Sequence, residues 1–294
     1  MQAQISIENT NVSMKYKKKM TKSDKKSAWV SRIVLWLTLI IVLFPILAVV
    51  FASLSKGSSF TQTTLLPKSW TLENYTKVIK DTQFLKWLLN SMITCIAAAF
   101  IQLALVVPAA FAFSKLRFAF RSKGLMALLI LQMFPTAMAL PAILRIAYNH
   151  NGMDNLFVIT ILLCTGIAYN IWLMKGYMDG IPTELIEAAY VDGATTFQVF
   201  IKIILPLIKN MALVIFLFAF ISAYSEFMIS SALLKDKATQ TIAVGMQQFI
   251  RDKFSANWTQ YSAAAIMAST PVVILFLSLQ KFIAKGLTAG AVKG

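Results

Sequence analysis

A chain of 294 residues that is 58% apolar carries more hydrophobic surface than a soluble core of that length needs, which points to the bilayer. Its formal charge of +16 does not make it a nucleic-acid binder, because the basic residues fall mostly between apolar spans. Anionic lipid headgroups and the excess of Lys and Arg in cytoplasmic loops account for them better. Cys95 and Cys164 lie inside apolar stretches without CxxC spacing, and His150 stands alone in a polar connection. They read as two small buried hydrophobes and a loop residue, so neither a disulfide nor a metal site is expected.

Residues 1–28 form a polar, lysine-rich arm with too few apolar residues to bury a core, expected to be disordered and cytoplasmic. The first apolar run, Trp29 to Ser53, exceeds a signal-peptide core and matches the roughly 20 residues that span a bilayer. A polar outer segment, Lys56 to Gln83, precedes a second span near Phe84 to Phe113. Lys115, Arg117, Arg121 and Lys123 crowd the next short connection, which belongs inside. Leu125 to Tyr148 reads as a third span interrupted by Pro135 and Pro141, and Leu156 to Tyr177 as a fourth. Ile208 to Leu234 and Trp258 to Ala284 complete six spans, flanking an outer segment from Lys235 to Asn257. Eight Lys and Arg in the arm through Arg32, four in the first inner connection, three around residues 178–207 and three at the C-terminal end leave ten of the 28 outside. The expectation is an all-α integral membrane protein with six transmembrane helices over residues 29–284, both termini cytoplasmic, and a tail at 285–294.

Between the fourth and fifth spans, residues 178–207 break the apolar pattern. Pro182 and Glu184 suit the start of a helix, Gly193 can take the left-handed conformation that ends one, and Thr195 with Gln198 has the form of a capping box. A helix, a tight turn and a second helix closed by Pro206 are expected. Ala188, Ala189 and Ala194 leave the turn around Gly193 almost without bulk, so that another protein surface could approach the backbone closely.

Within the spans, Glu226 is the one carboxylate, and a charge at mid-membrane costs on the order of 3 kcal/mol on insertion scales. Ser222, Ser225, Glu226 and Ser230 recur at intervals of three and four, a polar stripe on the fifth span with Tyr224 beside it. Such serines serve either as glue between helices or as the wall of a path. Tyr169, Asn170 and Trp172 combine aromatic faces with an amide, the chemistry that sugars favour, and fit an interfacial aromatic belt equally well.

The chain contains no G-x-x-x-x-G-K-S/T phosphate loop and not one Gly-Lys pair, so it does not bind ATP in that manner by itself. It has no H-E-x-x-H or G-x-S-x-G either, which leaves a membrane enzyme without a catalytic constellation. An ion-coupled secondary transporter with Glu226 as its ion site is the alternative, but that reading leaves residues 178–207 unexplained.

Glu187-Ala188-Ala189, then Gly193, then Ile203-x-Leu205-Pro206 resembles the cytoplasmic coupling loop of the membrane subunits of ATP-binding-cassette (ABC) importers. Further segments resemble the carbohydrate branch of that family: Leu72-Glu73-Asn74-Tyr75, Ala110 to Phe118, and Gln132-Met133-Phe134-Pro135. The C-terminal third, with Thr241 to Gln248 and the tail Gly286 to Gly294, looks most like the second membrane subunit of maltose/maltodextrin importers. The resemblance implies the type I ABC importer permease fold and alternating access coupled to a separate ATPase. It assigns ATPase coupling to Glu187, Ala188, Ala189, Asp192, Gly193, Ala194, Leu205 and Pro206. The implied partners are a second, unlike permease subunit, two ATPase subunits that hold ATP and Mg, and an extracytoplasmic sugar-binding protein. The chain itself would bind no cofactor and sit as a multi-pass protein in a bacterial or archaeal cell membrane. Galacto-oligosaccharide permeases share these motifs, so the sugar stays open between the two.

Overall fold

A computed structural model of the chain describes residues 21–58, 66–251 and 256–289. The regular structure among these residues is helical, the β-type pairing among them being one isolated bridge between Ser55 and Trp70. Helix α1 (Lys22–Ser53) begins earlier than expected, inside the supposed arm; residues 1–20 of that arm lie outside the described residues. From Trp29 to Leu47 the large apolar side chains of α1 are exposed, as suits a helix bathed in hydrocarbon.

The unit from residue 49 onward is built on α2 (Glu73–Asp81) and α3 (Phe84–Lys115). The expected third span follows as α4 (Arg121–Gln132) and α5 (Thr136–Asn149), separated by Met133, Phe134 and Pro135. Pro135 falls at that break, whereas Pro141 lies inside α5 without ending it. The expected fourth span is also two helices, α6 (Leu156–Leu163) and α7 (Ala168–Asp179), bent by 48° across residues 164–167. Gly166 at φ +76° makes that bend, since a left-handed backbone disfavours residues with a side chain.

Beyond α7 come α8 (Glu184–Val191), α9 (Thr196–Val199) and a π-helical turn, Phe200–Ile204. Then α10 (Leu205–Tyr224), α11 (Met228–Leu233), α12 (Ile242–Met246) and α13 (Trp258–Ala289) follow; residues 290–294 of the tail are outside the described residues. Among the described residues four helical runs are long and apolar enough to cross a membrane, and five if the bent pair is one span. The shortfall from six lies at the third span. Its two pieces, 12 and 14 residues, are each shorter than the ~20 residues a crossing needs.

Helix α3 shows how the bundle is held. Phe84, Trp87, Ser91, Cys95, Ala98, Gln102, Val106 and Ala110 recur at three and four and are buried, while Leu85, Leu89, Ile93, Phe100 and Leu105 on the other side are exposed. The outward face is as apolar as the inward one, and the polar Ser91, Thr94 and Gln102 point in. That inversion marks a membrane helix, in which small and polar residues make the interior contacts. Its C-terminal half packs with α7 and α10 through Val106, Ile171, Met174, Ile208, Met211 and Val214. Farther up, Cys95, Ala98 and Ala99 meet Ile159, Ala219, Phe220 and Leu233. At the far end Trp87 meets Ile242 and Ala264, its ring pressed so closely on Gly245 that a Cβ there would lie 2.2 Å from it.

Candidate functional site

Two places in the fold collect most of the residues singled out in the sequence, an exposed hairpin after α7 and a cavity between the helix breaks.

The hairpin forms as its sequence dictates. Helix α8 closes with Gly193 at φ +81°, whose N–H donates to the Tyr190 carbonyl at 3.0 Å, while the Ala194 N–H donates to the Ala189 carbonyl at 2.9 Å. This pair of bonds is the Schellman closure. The Thr195 hydroxyl then accepts from the Gln198 N–H at 3.3 Å, and the Gln198 side chain accepts from the Thr195 N–H at 2.8 Å, completing the capping box. At the near end Thr183 is the N-cap of α8, so Pro182 stands just outside the helix rather than in its first turn.

One expectation fails here: the second helix does not end at Pro206. The π-turn, in which the Leu205 N–H reaches back to the Phe200 carbonyl, runs directly into α10 with Pro206 in its first turn. The missing proline N–H falls where a new helical register begins, so the backbone continues without a break.

Ile186, Val199 and Ile204 are buried in the α3/α7/α10 core, and Phe200 stacks near Phe111 with centroids 5.0 Å apart. Those residues anchor the hairpin. Leu185, Val191 and Phe197 face outward, Val191 at 88% exposure, together with exposed Glu187, Ala188, Asp192, Gly193, Leu205 and Pro206; Ala189 and Ala194 are half-buried. A Cβ on Gly193 would meet nothing within 4 Å. Among the described residues nothing crowds the turn, so its positive φ alone calls for glycine there.

A polar seam ties this hairpin to the bundle. Asp179 accepts from the Ser114 hydroxyl at 2.7 Å and from Lys175 at 2.6 Å, and Lys115 donates to the Ile181 carbonyl at 2.7 Å. Arg121 donates to the Phe113 carbonyl at 2.8 Å and also to that of Ser114. The end of α3, the end of α7 and the entry to α8 are thus joined by charged groups that satisfy otherwise unpaired helix-end carbonyls.

Higher in the bundle the breaks after α4 and α6 come together and border an open cavity of about 380 Å³. Irregular backbone at membrane depth is tolerated where it borders such a space. Tyr169, Asn170 and Ser222 line it, as do Gln102, Gln132, Thr165, Gly166, Phe218 and Ile221. Trp172 does not; it is exposed, with its ring 6.1 Å from that of Tyr169.

The proposed stripe of the fifth span also divides. Helix α10 stops at Tyr224 with Ser225 as its C-cap, so Ser225, Glu226 and Ser230 are not on one continuous helix with Ser222. Glu226 turns back on α11 instead. One carboxyl oxygen accepts from the Ile229 N–H at 2.6 Å, and the other from the Ser230 N–H at 3.0 Å and the Ser230 hydroxyl at 2.6 Å. Glu226 therefore satisfies the first N–H groups of α11 as a capping carboxylate, with Ser230 as one of its donors. Tyr224 stacks on Phe220 and donates its hydroxyl to the Ala268 carbonyl at 2.7 Å, joining α10 to α13.

Sequence reasoning passed over Gln102 and Gln132. An amide buried in an apolar span is itself a signal, since it must find a partner, and Gln102 is 4% exposed. Thr165-Gly166 inside the fourth span was a second sign, of the break itself.

Broken apolar helices around a cavity lined by amides and a hydroxyl as well as apolar side chains, with an exposed hairpin at one end, define a membrane transport subunit. Residues 23–289 match the family model described as the binding-protein-dependent transport system inner membrane component, and the chain belongs to that family of ABC importer permeases. It is 36% identical over 263 residues to the maltodextrin transport system permease protein MdxG of Bacillus subtilis, covering 88% of this chain and 95% of that one. It is 37% identical over 260 residues to the galactooligosaccharides transport system permease protein GanQ of the same organism, covering 87% and 92%. The maltose/maltodextrin transport system permease protein MalG of Escherichia coli K12 is 34% identical over 293 residues, covering 93% and 98%. Among solved structures, a bacterial ABC transporter involved in the import of the acidic polysaccharide alginate has a chain that superposes with a TM-score of 0.75 at 25% identity. That superposition covers 90% of this chain and 99% of the other.

Proposed function

We propose that this permease imports neutral oligosaccharides, with maltodextrins as the first substrate class. It would work as one of two unlike permease subunits with two ATPase subunits and an extracytoplasmic binding protein, in a bacterial inner membrane. ATP and Mg belong to the ATPases. The chain would cross the membrane six times, counting α4 with α5 and α6 with α7 as one broken span each, with both termini inside. The hairpin of α8 and α9 carries the reading. It combines an anchored inner face, a bare turn at Gly193, and outward Leu185, Val191 and Phe197 that no described residue covers.

The mechanism follows from how the hairpin is mounted. ATP drives the cycle only through its higher affinity for the closed ATPase dimer. Closure moves Glu187, Ala188, Ala189, Asp192, Gly193 and Ala194 with the ATPase surface. The hairpin is packed against α3, α7 and α10 and seamed to them at Ser114, Asp179 and Lys115, so it moves as a lever with those helices. Leu205 and Pro206, in the first turn of α10, carry the displacement directly into the helix that bears Ser222. The same three helices wall the cavity, which then opens alternately to each side.

Sugar-stimulated ATP hydrolysis in liposomes tests this, using the chain co-purified with its partners and a panel of maltodextrins and galacto-oligosaccharides. Stimulation by maltodextrins supports the reading. Stimulation by galacto-oligosaccharides alone keeps the mechanism and moves the substrate, an outcome that the similarity to GanQ makes specific. Ion-driven uptake by the isolated chain would overturn it.

A further inference from the structure

Resting on the importer reading, we propose that this chain carries its own subsite for a single sugar ring, in the cavity where the breaks after α4 and α6 meet α10. Part of its polar lining is fixed internally and part is left open. The Gln102 amide donates to the Leu163 carbonyl at 2.8 Å, and its oxygen accepts from the Asn170 amide at 3.4 Å, so one side of Asn170 is held. The oxygen of Asn170, a residue only 8% exposed, has no hydrogen-bond partner among the described residues. Gln132 accepts from the Tyr169 N–H at 3.1 Å, which leaves its amide hydrogens uncommitted among those residues, and the Ser222 hydroxyl is likewise open.

The open set is thus an acceptor at Asn170, a donor at Gln132 and a hydroxyl of either kind at Ser222. Sugar hydroxyls both donate and accept, and a mixed neutral set is what fixes them. No charged side chain lines the cavity among the described residues, so nothing there would compensate an ionic ligand. Tyr169, Phe218 and Ile221 supply apolar surface for the C–H groups of a ring. A volume of about 380 Å³ is near the small end of the roughly 300–1,000 Å³ of small-molecule sites, which suits one ring of a threading chain rather than a folded oligosaccharide. Gly166, at positive φ, lies beside Gln132, whose amide nitrogen would be 3.6 Å from a Cβ added there.

The test uses the complete complex with its ATPases and binding protein, carrying Ser222→Cys, with the parent chain reporting on Cys95 and Cys164. The rate of modification by a small methanethiosulfonate reagent is followed with and without maltotriose. About tenfold protection is expected, with about tenfold more sugar needed when Asn170→Ala is added, as loss of one hydrogen bond of 1.4 kcal/mol requires. Gln132→Leu, at an exposed position, gives the same reading should the Asn170 variant fail to assemble. Unchanged labelling in a complex whose ATPase responds to sugar overturns the subsite and leaves the importer intact. So does protection that Asn170→Ala and Gln132→Leu leave unaltered, because shielding then comes from conformational change. A complex whose ATPase ignores every sugar overturns the importer reading itself.

Discussion

Replacing Glu226 with Gln separates a capping carboxyl from one that belongs to a transport path. In the structure both of its oxygens accept, one from the Ile229 N–H and the other from the Ser230 N–H and hydroxyl. A glutamine amide has one oxygen and one NH₂, so in either orientation a backbone N–H at the start of α11 faces a donor. If the NH₂ lies toward Ser230, that hydroxyl can rotate to accept from it, but the Ser230 N–H stays unmet. One partly buried N–H is lost, worth about 1–2 kcal/mol. Near-isosteric size alone would have made the change silent, and the two accepting oxygens argue otherwise. Glu226→Ala removes all three bonds and is expected to cost more, about 2–3 kcal/mol. The assay is the thermal midpoint of the detergent-purified complex, with a drop of a few degrees for Gln and a larger one for Ala. Residual ATP hydrolysis should fall in proportion to folded protein. A Gln variant with an unchanged midpoint but no transport would refute the capping role and return Glu226 to the path.

Gly193→Pro should uncouple ATP hydrolysis from sugar uptake, since φ +81° is closed to proline and the Gly193 N–H bond to Tyr190 is lost; normal uptake in that variant counts against the hairpin as coupler. Val191→Asp should leave the midpoint of the isolated permease within about 0.5 kcal/mol, because the side chain is 88% exposed, yet weaken co-purification of the ATPase at least tenfold. Equal ATPase recovery would remove Val191 from the interface. Gly245→Ala places a methyl 2.2 Å from the Trp87 ring and should cost about 1–3 kcal/mol, read as a lower midpoint or loss of folded protein. Asp179→Asn keeps an acceptor for the Ser114 hydroxyl but weakens the Lys175 pair, and is expected to lower the ratio of sugar moved per ATP while leaving assembly intact.

Local chemistry was legible in the sequence wherever it decided local structure. Gly193 and the Thr195/Gln198 pair act within a few residues of themselves, and the hairpin forms as they require. Apolar length likewise located α1, α3, α10 and α13. What was not legible depends on groups meeting across the chain or on a change of register. The serine spacing assumed a helix running through Ser225, and nothing in periodicity reveals that Glu226 turns back to cap α11. Pro206 looked like a stop because the π-turn that accommodates it leaves no sequence mark. The cavity joins Gln102, Gln132, Asn170 and Ser222 from four helices, and only packing brings those amides and that hydroxyl together.

The coupling role of the hairpin is tested most directly by site-specific cross-linking. Phe197→Cys, at a 72% exposed position on the outward face, would be probed with a short bifunctional thiol reagent in the assembled complex, with and without a non-hydrolysable ATP analogue. Cross-linking to the ATPase subunit is expected in both states, with transport blocked once the two are joined. Absence of any cross-link from Phe197→Cys, with ATPase still bound and uptake normal, would contradict it.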